Sequence, residues 1–176
     1  MLKTWIITIT ISVIIIVIFL KTTREKLTKL ENAIKKEYSN IDINLKKRND
    51  LIPNLIDTIK EKIKEEELLN NLIEERNNIV EASDEESIIT SDHNLSLLLS
   101  ETFTIFKKYP DLENIPNFLQ LQNELQIVEE TLLAVRKNYN QTINVYHQNY
   151  QSYPTSLVAS FLGFKKYQYF KNLKED

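Results

Sequence analysis

Residues Trp5 to Leu20 read WIITITISVIIIVIFL, sixteen positions with eight isoleucines and no charge, bracketed by Lys3 and Lys21. A helix from Lys3 to Lys21 covers roughly 27 Å, close to the ~30 Å hydrocarbon core of a bilayer. The flanking lysines can snorkel across the small deficit. The run is longer than the apolar core of a secretory leader, and the adjoining KTTREKL offers no small-x-small cleavage site, so a retained anchor is expected rather than a cleaved signal peptide. An apolar run that is uniform around the helix also has no place inside a small soluble core.

Cations resist translocation. Lys21, Arg24, Lys26, Lys29, Lys35 and Lys36 crowd the C-terminal side, against Lys3 and the α-amine on the other. The excess predicts a single-pass protein with a very short N-terminus outside and the rest of the chain in the cytoplasm. The expected organisation is an anchor over 1–24, a helical domain over 25–154 and an aromatic, basic tail over 155–176.

Beyond the anchor the chain holds one domain's worth of sequence, with one Gly, four Pro and no Cys in all 176 residues. So few chain breakers favour long helices. The missing Cys removes disulfides, thiolate metal sites and thiol nucleophiles together. A net charge of −3 and pI near 5.6 carry no electrostatic footprint for nucleic acid.

Apolar residues at 27, 30, 34, 38, 41 and 45 form one helical stripe, expected to end near Asp50 because Pro53 lacks an amide hydrogen and restrains Ile52. A second helix is then expected from Pro53 to about Ala82, where Asp84 can cap the next helix. A third is expected from Ser91 to about Lys107, ended by Tyr109-Pro110-Asp111. The fourth, from Pro116, has the most regular pattern: Phe118, Leu121, Leu125, Val128, Leu132, Val135, Tyr139, Thr142, Tyr146, Asn149 and Tyr153. Short loops between such helices predict an all-α, antiparallel up-and-down four-helix bundle behind the transmembrane helix. The alternative is a long kinked helix through Pro53 and a three-helix bundle, since the apolar phase at 45, 48, 52, 56 and 59 survives the proline.

Catalytic patterns are absent from this reading. His93 and His147 stand alone, the Glu61 to Glu67 acids alternate with Lys60, Lys62 and Lys64 as on a solvated helix face, and no glycine-rich loop exists. No catalytic, cofactor-binding or metal-binding residue is assigned. Polar residues near the apolar stripes carry more information, because an unpartnered buried polar group costs about 1–3 kcal/mol. Asp42, Arg48, Asp50, Asn54, Glu129, Arg136 and Asn140 are the candidates, with Pro53 at the turn. They are either water-facing and rim groups or an inter-helix network that sets the bundle's register.

The segments Ile41-Asp-Ile-Asn-Leu-Lys-Lys-Arg-Asn-Asp-Leu-Ile-Pro-Asn-Leu55, Tyr109-Pro-Asp-Leu112, Asn117-Phe-Leu-Gln-Leu-Gln-Asn-Glu-Leu125, Ala134-Val-Arg136, Tyr139-Asn140, Tyr153-Pro154, Phe161-Leu-Gly-Phe164 and Tyr169-Phe170, in that order and spacing, resemble the LemA family. The chain departs from the family pattern at Glu61-Lys62, Tyr146-His147, Ser156 and in the alanine-poor stretch from Ser83 to Asp92. The resemblance implies a bacterial membrane protein with one N-terminal helix, a short outer N-terminus and a cytoplasmic all-α bundle. It implies no particular reaction. The expected function is therefore a membrane-anchored, non-enzymatic interaction or scaffold protein that contacts the bilayer through residues 3–21 and acts on unidentified protein partners. The alternative is an enzyme or ligand-binding bundle with a site in its core.

The tail is the last candidate. Phe161, Phe164, Tyr169 and Phe170, with Leu157, Leu162, Tyr167, Lys165, Lys166 and Lys171, combine aromatics and cations as lipid interfaces do. Such a tail either lies at the membrane surface or folds back over the end of the bundle.

Overall fold

A computed structural model describes residues 1–170 of the chain; Lys171 lies outside the described residues. The described chain is all helical: α1 (Leu2–Ile59), α2 (Glu66–Glu81), α3 (Glu85–Phe106), a 3-10 turn (Pro110–Asn114), α4 (Pro116–Gln151) and the short α5 (Thr155–Phe161).

The first helix corrects the expected boundary. It does not stop near Asp50 but runs through Pro53 to Ile59, and the chain turns at 60–65 instead. Two physical reasons account for this. The apolar phase is uninterrupted, with Leu45, Ile52, Leu55, Ile56 and Ile59 all buried. The carbonyl of Asn49, which the proline cannot bond, accepts instead from the Arg76 Nε of α2 at 3.2 Å. A side chain from the next helix thus takes the place of the lost amide. Arg76→Ala is expected to cost about 1–3 kcal/mol, the range for stranding a buried acceptor. In a Pro53→Ala background, where residue 53 again has an amide for Asn49, most of that cost should vanish; denaturation of the four proteins of this cycle measures the coupling.

α3 also starts earlier than expected, at Glu85 rather than Ser91. Asp84 caps it, accepting the Ser87 amide at 2.9 Å and the Ser87 hydroxyl at 2.7 Å. The earlier start carries Ile89 and Asp92 into the buried face. α4 begins at Pro116 as expected, and its stripe holds through Leu125, Val128, Leu132 and Tyr139; beyond that Ile143 replaces Thr142 on the inner face, and Tyr153 is fully outside.

α1 and α4 are the principal pair, running antiparallel: Arg48 reaches Glu129 at one end and the Tyr38 ring meets Tyr139 at 6.0 Å further along. α2 and α3 form a hairpin, tied by Asn94 Nδ2 donating to Glu75 at 3.2 Å, and Phe106 of α3 stacks edge-on against Phe118 of α4 at 5.2 Å. One apolar core runs the length of the domain and takes in Leu27 and Ala159 as well as Ile63 and Leu72. By contrast the segment from Trp5 to Ile18 stands exposed, and α1 is the one described helix long and apolar enough at that end to cross a membrane.

Candidate functional site

Midway along the bundle three helices deliver charge to one point. α1 supplies Arg48, fully buried, a placement that calls for hydrogen-bonding partners around its charged terminal nitrogens. Its Nη2 donates to Asp92 Oδ1 of α3 at 2.8 Å, while Nη1 donates to Ser96 Oγ at 2.8 Å and to Glu129 Oε1 of α4 at 2.9 Å. Arg136, two turns along α4 from Glu129, donates through Nη2 to Asp92 Oδ1 and to Ser96 Oγ. Two guanidinium groups and two carboxylates thus balance, with a serine hydroxyl between them. Arg48 Nε and Arg136 Nε have no partner within the protein.

Of the polar candidates read from sequence, this cluster unites Arg48, Glu129 and Arg136. The others lie elsewhere. Asp42 is half-exposed and pairs with Lys46 at 2.7 Å one turn along the same helix. Asp50 and Asn54 are exposed, with Asn54 Nδ2 donating back to the Asp50 carbonyl. Pro53 is enclosed within α1, and Asn140 clamps the tail. Asp92 and Ser96 complete the cluster without having been assigned. The signal for them existed: once Asp84 is taken as the cap, Asp92, Ser96, Leu99 and Phe106 share the inward face with Ile89 and Leu95.

A groove of about 440 Å³ opens beside Glu129 between α3 and α4, lined with Ser96, Ser100, Thr104 and Gln126. Among the described residues no three His, Asp or Glu side chains are placed to hold a metal. The cluster's donors point at its own acceptors. The arrangement ties α1, α3 and α4 together at one point, and sliding any of the three by a turn breaks its ion pairs.

Residues 37–176 match the LemA family. The chain belongs to that family. Two magnetosome proteins of Paramagnetospirillum magneticum, MamQ 1 and MamQ 2, are each 20% identical to this LemA protein over 85 residues. That stretch is 48% of this chain and 31% of either relative, so the likeness concerns under a third of the relatives' length.

A second polar constellation in this LemA protein fixes the tail. After α5 the chain folds back along α4: Asn140 donates from Nδ2 to the Phe170 carbonyl at 2.8 Å and accepts the Phe170 amide at 3.0 Å, while Tyr146 donates to the Lys165 carbonyl at 2.8 Å. Phe170 is buried edge-on against Tyr139 at 5.4 Å. Phe164 packs partly buried on the core, and Tyr169 donates to Asn144 at 2.8 Å. Of the four tail aromatics read as interfacial, then, Phe164 and Phe170 belong to the core instead, Tyr169 is bound to α4, and Phe161 remains outside. Burial in an aromatic cluster pushes the Tyr139 and Tyr146 hydroxyls well above the usual tyrosine range, and burial together with Glu31 raises Tyr167 to about 12.

Proposed function

We propose that this LemA protein is a bacterial membrane-anchored, single-pass interaction or scaffold protein without catalytic activity, its four long helices alternating in direction behind the span. The observation that carries the reading is that one uninterrupted helix holds both the exposed apolar segment and the domain's core stripe. Its hydroxyls support immersion in lipid: Thr8, Thr10 and Ser12 each donate to a carbonyl three or four residues earlier, so none is left without a partner. The surplus of Lys and Arg after Leu20 favours a cytoplasmic domain. Membership of a family that includes proteins named for magnetosomes agrees with work at a membrane. The charge cluster is spent on internal pairs, and the outer face of α4 offers exposed Leu119, Ile127, Leu133 and Val145 to partners.

Photocrosslinkers placed at Ile127 and Leu133 of the full chain in cell membranes test this. A discrete protein adduct that is lost on Ile127→Asp, with helicity unchanged, supports the role. Lipid adducts alone, together with a co-purifying small molecule that raises the melting temperature, would overturn it in favour of a ligand site in the core.

A further inference from the structure

α5 turns an apolar and aromatic face outward. Leu157 and Phe161, four residues apart on α5, are 64 and 85% exposed, and Tyr153 just before the helix is 82% exposed, while Val158 and Ala159 on the other side of α5 are buried. Where this face lies along the molecule decides what can cover it.

The register of α4 on α1 gives the position. From Tyr139, opposite Tyr38, α4 advances roughly 18 Å to Gln151, and the same distance down α1 from Tyr38 ends at Lys26. α5 then packs on both α1 and α4. Thr23 is buried although its neighbours from Leu20 to Lys26 are exposed, so the packing of the domain on α1 reaches to within one turn of the apolar run. After α5 the chain climbs away again: Tyr167 donates to Glu31 at 3.3 Å, and the Phe170 ring reaches Tyr38 at 6.3 Å. Residues 153–161 are therefore the part of the domain nearest the span.

We propose that α5 is a second, interfacial contact with the bilayer, its Leu157 and Phe161 side chains, with Tyr153 just before it, entering the headgroup boundary beside the exit of α1. Thr23 stands roughly 5 Å above Leu20 along the helix, within the headgroup layer that lies outside the hydrocarbon core. An aromatic and aliphatic face at that depth is buried by lipid, whereas a soluble partner would have to enter the headgroups to reach it. Exposed Lys21, Arg24 and Lys26, with Glu25 among them, surround the same level and suit anionic headgroups. The consequence is a domain held at two points, span and α5, and so fixed in rotation as well as height. The proposal rests on the reading of Trp5 to Leu20 as a span, and the test separates the two.

The chain has no Cys, so single-Cys variants of the full protein can each carry one environment-sensitive fluorophore. Leu157→Cys and Phe161→Cys report on α5, Ile127→Cys on the outer face of α4, and Val13→Cys on the span. Ser160→Cys, also exposed, replaces either α5 variant that fails to regain helicity. The proteins are reconstituted in phosphatidylcholine vesicles with a quarter phosphatidylglycerol, and nitroxide-labelled lipids serve as quenchers. The expected result is strong quenching at Val13 by deep nitroxides and, by shallow nitroxides, quenching at the α5 sites about three-fold above that at Ile127. Quenching at α5 no greater than at Ile127, with Val13 quenched, leaves the span standing and overturns the proposal. An apolar emission at α5 without lipid quenching means a protein neighbour and overturns it too. An unquenched Val13 label refutes the span, and the interfacial role of α5 falls with it.

Discussion

Arg48→Ala is expected to lower stability by about 3–5 kcal/mol, because it removes the one ion-pair partner of Glu129 and leaves Asp92 with Arg136 alone. Denaturant titration followed by far-UV circular dichroism, in detergent micelles for the full chain, measures it. Arg48→Lys should rescue little: one ammonium cannot occupy the Ser96, Asp92 and Glu129 positions that the guanidinium fork reaches together. The fourfold replacement Arg48→Met, Asp92→Leu, Glu129→Leu, Arg136→Met should instead come close to the parent or exceed it, since a buried ion cluster rarely outperforms well-packed hydrocarbon. If the cluster sets register, that variant keeps its stability while losing the uniqueness of helix pairing, seen as broadened side-chain resonances.

Phe170→Ala is expected to cost about 3–5 kcal/mol, as truncations of buried aromatic residues do. The side chain lies only nine residues beyond α5, yet it completes the Tyr38–Tyr139 cluster in the middle of the α1–α4 pair. Tail release should result, read as faster amide exchange at Tyr167 and Phe170. Acid should loosen the same tail. The Tyr167 amide donates to His147 Nε2 at 3.3 Å, so the neutral ring carries its hydrogen on Nδ1, 3.0 Å from the Tyr169 oxygen. Partial burial first, and Lys166 second, hold the imidazole below its ordinary value of 6.5. Because the folded value is depressed, the stabilisation is complete above the unfolded value and is lost as pH falls from there through the folded one. His147→Phe should remove that pH dependence, with protease susceptibility of the tail as the readout.

How far sequence reasoning reaches is visible in particular residues. The stripe on α4 from Phe118 to Tyr139 and the cap at Asp84 were legible because each depends on local spacing or local hydrogen bonding. Between a break at Pro53 and a helix running through it the sequence does not decide, because the rule concerns a carbonyl left unpaired, and whether it is left unpaired depends on Arg76, a residue of another helix. Asp92 was missed for a related reason: a helix thought to begin at Ser91 places it in the first turn, among capping groups rather than core ones. Arg48, Glu129 and Arg136 were legible as polar residues near apolar stripes. Which acid joined them was not, because that depends on the rotation of α3 about its own axis. The tail stays open in the sequence between membrane surface and bundle end, because aromatic residues suit lipid and core equally; hydrogen bonds from Asn140 and Tyr146 to its backbone hold it on α4, and they are contacts between distant parts of the chain.

The passage of α1 through Pro53 without a stop has a mechanical consequence. From Leu20 to Ile59 the helix is roughly 60 Å of unbroken rod, so a tilt of about 10° at its apolar end sweeps the far loop through roughly 10 Å. A domain tethered by a flexible linker would absorb such a tilt and forget it. With Trp5 to Leu20 in the bilayer as proposed, this one would amplify it, and the turn at 60–65 would swing with any tilt imposed on the other end.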